Sequence, residues 1–69
     1  MAVNLAYNYA EIELDTGMCV GVVTTSAEQT SPAMIPIPAY DEEYLFKFYI
    51  DGAWYEDPEG TIPWTSSVA

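Results

Sequence analysis

One cysteine and no histidine in a chain of 69 residues exclude the usual staples of a small fold. Cys19 has no partner within the chain, so no intrachain disulfide forms. Zinc held by Cys and His within one chain is excluded as well. A domain of this length buries only about 60% of the surface that its unfolded chain exposes. Self-association or docking on a larger assembly is left as the source of extra stability. Hydrophobic residues make up 51% of the chain and aromatics 14%. Six tyrosines and two tryptophans give large apolar bodies with polar tips, suited to a β core and to interfaces. No cofactor or metal site is expected.

The charge narrows the partners. Eleven Asp or Glu face one basic residue, Lys47, for a net charge of −10. Such a chain has almost nothing with which to neutralise phosphates, so nucleic acid and anionic membrane are not expected partners. Two uses of the charge remain. One is solubility, with acids keeping exposed β edges from pairing. The other is mimicry of a nucleic-acid surface, aimed at a basic host protein. The first residues carry neither the basic start nor the apolar run of a secretory signal, and no transmembrane stretch follows. A lone cysteine fits synthesis in a reducing compartment.

Hydrophobic alternation predicts strands. In YNYAEIEL, residues 7–14, Ala10, Ile12 and Leu14 point one way and Tyr9, Glu11 and Glu13 the other. MCVGVVTT, residues 18–25, is rich in β-branched residues and reads as a second strand, with Gly21 marking a bulge or a close backbone approach. A polar loop covers residues 26–33. MIPIP, residues 34–38, lacks two ladder donors and fits only an edge strand or a polyproline-like stretch. Asp41 is placed to cap one helical turn over residues 42–45. LFKFYI and AWYE, residues 45–50 and 53–56, flank Asp51-Gly52, a strong hairpin signal. The tail carries a turn at residues 58–60 and an anchor at Ile62-Pro63-Trp64. Its last five residues, 65–69, read as a loose end. The chain is therefore expected to be one mainly β domain with its ordered core over about residues 7–64. It comprises two antiparallel hairpins, an extended proline segment and one short helical turn in a small sandwich- or barrel-like fold.

Residues 14–17, Leu-Asp-Thr-Gly, resemble the way an aspartic protease presents its catalytic carboxylate. That chemistry needs two carboxylates sharing a proton across a two-fold axis, hence a homodimer. The later apolar-apolar-Gly run and the glycine-tipped flap of such enzymes have no counterpart here. A hairpin turn explains the same residues, with Asp15 bonding an amide two residues on and Gly17 in the left-handed region. Acidic groups at residues 41–43, and Asp57 with Glu59, lack the ligand spacing of a calcium loop. A carboxylate pair for glycoside hydrolysis would need a sugar cleft that a chain this short builds poorly. Cys19 has no histidine to activate it and reads as a buried structural residue. No catalytic residue is assigned.

The run Tyr44-Leu45-Phe46-Lys47-Phe48-Tyr49-Ile50-Asp51-Gly52-Ala53-Trp54-Tyr55-Glu56 resembles a recurring ending of small β modules in bacteriophage tail and fibre proteins. There too a Leu-rich turn leads into a Lys and a Tyr, a two-residue turn with Gly, then Trp and Glu. Tyr9-Ala10-Glu11-Ile12, the acidic turn and Cys19-Val20-Gly21-Val22 are similar to the start of those modules. Ile35-Pro36-Ile37-Pro38 followed by Tyr40-Asp41 is similar to their apolar link. The resemblance implies no catalysis. It implies a virion assembly or attachment piece, located in the virion or in the bacterial cytoplasm before assembly, and a homo-oligomer, most simply a trimer. The residues expected at interfaces are Tyr7, Tyr9, Tyr44, Phe46, Tyr49, Trp54, Tyr55 and Trp64. Asp15, Gly17, Asp51 and Gly52 are expected to form turns. Lys47 is expected to pair with an acid across a strand or subunit. Two other functions fit the sequence: a phage-encoded acidic inhibitor of a basic host protein, and a small sugar- or peptide-binding module built on exposed tryptophan and tyrosine.

Overall fold

The computed structural model describes residues 6–67. The fold is mainly β, with two antiparallel sheets and one 3₁₀ turn. Strand β1 spans Tyr7–Ile12, β2 Cys19–Thr25, β3 Met34–Pro36, β4 Phe48–Ile50 and β5 Ala53–Tyr55. The first sheet has the order β2-β1-β3, and β4 and β5 form the second. The 3₁₀ turn spans Glu42–Tyr44 between β3 and β4.

Both hairpins sit where the alternation places them, with shorter strands. β1 ends at Ile12, one pair past a bulge: Glu11 faces Gly21 and Ile12 faces Cys19, so Val20 is the extra residue. The bulge lies beside Gly21. A Cβ on Gly21 would meet nothing closer than Glu11 Oε1 at 3.6 Å, so no backbone crowds it. Past the bulge the chain curls into the turn, and Leu14, expected inside, is 65% exposed. Tyr9, expected outside, is only 2% exposed. β1 is the central strand, and at Tyr9 its outer face is covered as well. The 26–33 loop folds over it, and the Gln29 amide donates to the Tyr9 hydroxyl at 2.8 Å.

The proline segment is an edge strand as its missing donors require. Pro36 stands opposite Tyr9, and the Ala10–Ile35 pair lies next to it. The 3₁₀ turn begins at Asp41, whose side chain accepts from the Glu43 amide at 2.9 Å. β4 begins only at Phe48, because residues 45–47 form a corner rather than a strand. At its apex Phe46 has φ 69, a rare left-handed conformation for an aromatic residue. Asp51 and Gly52 have φ 50 and 85, the double positive of a type I′ turn, which matches the twist of the flanking strands.

The first turn joins the two sheets. Gly17 has φ 78, and its carbonyl accepts from the Tyr49 amide at 2.8 Å. The Cys19 amide donates to the Lys47 carbonyl at 2.8 Å, and Met18 bridges Phe48. β4 therefore runs alongside the start of β2. The core collects at this junction: Ala10, Ile12, Cys19, Ile37 and Tyr44 are buried, with Val22, Ile35, Leu45, Tyr49, Trp54 and Trp64 packed around them.

The tail is anchored at residues 62–64 as expected, and Ser66 and Ser67, in the stretch expected to be loose, are held as well. Pro63 bridges Tyr55, and the Trp64 amide donates to the Trp54 carbonyl at 3.0 Å. Ser66 is buried and donates to Asp41, and the Ser67 hydroxyl donates to Glu43 at 2.7 Å. Residues 68 and 69 of that tail lie outside the described residues.

Candidate interaction surface

The Asp-Thr-Gly turn is structural in its geometry. The Gly17 amide donates to the Glu13 carbonyl at 2.6 Å, and the Glu13 amide to the Met18 carbonyl at 2.9 Å. The side chain that bonds an amide two residues on is that of Thr16, which accepts from Met18 at 3.2 Å; Asp15 was expected in that role and is an exposed member of the loop instead. Gly17 is required twice over. Its φ is positive, and a Cβ there would lie 2.6 Å from the Tyr49 carbonyl oxygen.

The eight aromatic residues expected at interfaces divide into groups. Tyr44, Tyr49, Trp54 and Trp64 pack on one another. Tyr44 meets Trp54 at 5.0 Å and Trp64 at 4.9 Å, both edge-to-face, and Tyr49 meets Trp54 at 5.1 Å. Both tryptophans are half-buried in this cluster. The Lys47 ammonium, expected to pair with an acid, lies 5.1 Å above the Trp64 ring. Tyr55 is half-buried at the bridge to Pro63. Tyr7 and Tyr9 lie on β1. There they line an open groove of about 210 Å³ with Ala6, Asn8, Glu28 and residues 36–38. Phe46 stands apart at 67% exposure.

Several carboxylates are bound within the fold. Asp41 is buried between the Glu43 amide and the Ser66 hydroxyl. Beside it, burial pushes the Tyr44 phenol above its ordinary value, and the Asp41 charge adds to the rise. Asp57 accepts from the Thr61 hydroxyl at 2.5 Å and from the Thr61 and Ile62 amides at 2.9 Å. The Thr61 hydroxyl holds its carboxyl below the usual range, opposed by burial and helped by the backbone amides. Burial raises the Cys19 thiol, partly offset by the Gly21 carbonyl that accepts from it, and the Glu11 charge adds to the rise. Among the described residues no three His, Cys, Asp or Glu side chains come together as a metal site. No helix among them is long and apolar enough to cross a membrane.

Exposed hairpin edges are expected from the sequence, but sequence reasoning did not locate the half-occupied one at β2. β2 is the outer strand of its sheet, and β4 covers only its first residues. The cover ends where the Phe46 amide donates to the Cys19 carbonyl at 2.8 Å and the left-handed Phe46 turns the chain away. Exposed Val20 follows at the bulge. The signal for this edge was in the sequence: residues 16–27 carry no charge, although the chain has eleven acids. No protein-family model, curated protein or solved structure matches the chain.

Proposed function

We propose that this chain is a non-enzymatic structural module of a bacteriophage or prophage virion, acting in assembly or attachment. The resemblance of residues 44–56 to phage tail and fibre modules suggests the setting. The observation that carries the reading is the half-occupied β2 edge next to the exposed Phe46 ring. An open strand edge offers main-chain hydrogen bonds, and an adjacent apolar side chain offers a contact that helps fix register. Both serve binding. The carboxylates with short bonds act as caps and turn staples, at Asp41 and Asp57, which suits a scaffold. The protein then resides in the virion, and in the bacterial cytoplasm before assembly. Peptide mass spectrometry of purified virions tests this reading: peptides of this chain at stoichiometric abundance are expected, and their absence overturns it.

The net charge of −10 supports a second reading, an acidic inhibitor of a basic host protein. It expects binding to a basic protein from the host that weakens steeply with salt. A capture experiment repeated at rising ionic strength tests it, and salt-insensitive capture removes it.

A further inference from the structure

The open part of β2 has a definable bonding pattern. On β1, the Asn8 carbonyl and the Ile12 amide bond to β3, through Ile37 and Ala33. Backbone groups alternate sides along a strand, so Tyr9 and Glu11 face β2. Their partners are Val23 and Gly21. Val22 and Thr24 therefore turn their amide and carbonyl groups outward, away from β1. Among the described residues no backbone group bonds them there.

Natural edges are protected by prolines, charges or covering segments. The other outer strand of this sheet follows that rule. Pro36 faces Tyr9 from the edge strand β3, on the non-bonded side, where a residue's amide would point outward, so the outer rim of β3 lacks that donor. β5 is covered by the tail through Pro63 and Trp64. β2 past Cys19 has no proline and no charge over residues 20–25. It is the unguarded edge.

Charge decides what fits it. A cationic strand would be matched by acids along the edge, and this edge has none; the flanking acids in sequence are Asp15 and Glu28. The nearest carboxylate across the ladder is Glu11, whose Oε1 lies over Gly21. Two copies of a chain with a net charge of −10 repel, and they can approach most readily where the surface carries no charge. Residues 16–27 are such a zone. The fold also has few buried residues, so a partner adds a large share of its stability.

We infer that β2 pairs with β2 of a second copy, antiparallel, about a two-fold axis at Val23. Val22 then faces Thr24 of the second copy and Thr24 faces its Val22, and each pair exchanges amide-to-carbonyl bonds. The incoming strand continues the line that β4 abandons at Phe46, and its end packs on that ring. The inference rests on the assembly reading for its choice of a self-partner. It replaces the trimer that the resemblance implies with a dimer, because a two-fold edge is used up by one partner.

The test is sedimentation of the full chain at micromolar to millimolar concentration, with two variants. Thr24→Pro removes an outward donor and no backbone bond to β1, and it also removes the 2.7 Å bond from the Thr24 hydroxyl to the Asn8 side chain on β1. Val20→Glu adds an acid at an exposed position outside the core. The wild type is expected to reach twice its 7.6 kDa mass, more readily as salt rises. Both variants are expected to stay at 7.6 kDa with unchanged circular dichroism. If Thr24→Pro unfolds, Val20→Glu alone decides. A monomeric wild type at millimolar concentration overturns the inference, as do a trimer, a dimer that both variants keep, and a dimer that salt weakens. Virion peptides are read separately: a dimer absent from virions removes the assembly reading and leaves the edge, whereas a monomer present in virions does the reverse.

Discussion

Replacing Gly17 with alanine tests the junction between the two sheets. Two costs add. The left-handed conformation at φ 78 costs an alanine about 1–2 kcal/mol. The new Cβ would also sit 2.6 Å from the Tyr49 carbonyl oxygen. That contact is backbone, which cannot rotate aside, so β4 must move. Overpacking of this kind costs about 1–3 kcal/mol. The shift strains the 2.8 Å bonds from Tyr49 to Gly17 and from Cys19 to Lys47. The expected total is about 2–5 kcal/mol, against about 3–10 kcal/mol for the whole stability of a domain of this size. Gly52→Ala is the control. Gly52 has φ 85 but nothing within 4 Å of its Cβ position, so only the conformational cost of about 1–2 kcal/mol applies. Urea titrations followed by tryptophan fluorescence compare the two, at one protein concentration. With a slope of about 1 kcal/mol per molar, Gly17→Ala should lower the midpoint by about 2 M more than Gly52→Ala. Equal midpoints would refute the close approach of the first turn to β4.

Ser66→Ala takes a hydroxyl from the buried Asp41 carboxylate and should cost about 1–3 kcal/mol in the same titration; a neutral result would mean the tail does not latch there. Cys19 should react with iodoacetamide at pH 8 far more slowly in the folded protein than in urea, since burial raises its thiol and hides it. The folded thiol keeps a proton that the unfolded chain releases, so stability should fall as pH rises above 9.0, more steeply in wild type than in Cys19→Ala, where the raised Tyr44 phenol still contributes. Asp57 shifts the other way. Its folded carboxyl stays ionised below the ordinary value of 3.8, so its contribution is present above that pH and is lost as pH falls through the folded value. Asp57→Asn should remove that acid-sensitive component, seen as faster amide exchange at Thr61 and Ile62 in wild type only below pH 4; equal exchange in both proteins across the acid range would count against it.

Short-range chemistry was legible in the residues themselves. Alternation gave both hairpins, Asp51-Gly52 gave a type I′ turn, Asp41 gave a cap, and Pro36 gave an edge strand. Each depends on neighbours in sequence, because backbone torsions and missing donors act over a few residues. What failed depended on partners far along the chain. Tyr9 alternates as an outward residue, yet the 26–33 loop covers it. Leu14 alternates as inward, yet it lies past the end of β1, in the exposed turn. Tyr44, expected at an interface, is buried in the core with the two tryptophans packed half-buried against it, because the tail returns to Trp54 through Trp64. Ser66 reads as a frayed end and is buried on Asp41. The open edge of β2 is the same case. The uncharged run that makes it usable is written in the sequence. That β4 stops covering it at Cys19 follows only from the left-handed Phe46, a conformation that this residue type disfavours and that the bond from its amide to the Cys19 carbonyl helps to hold.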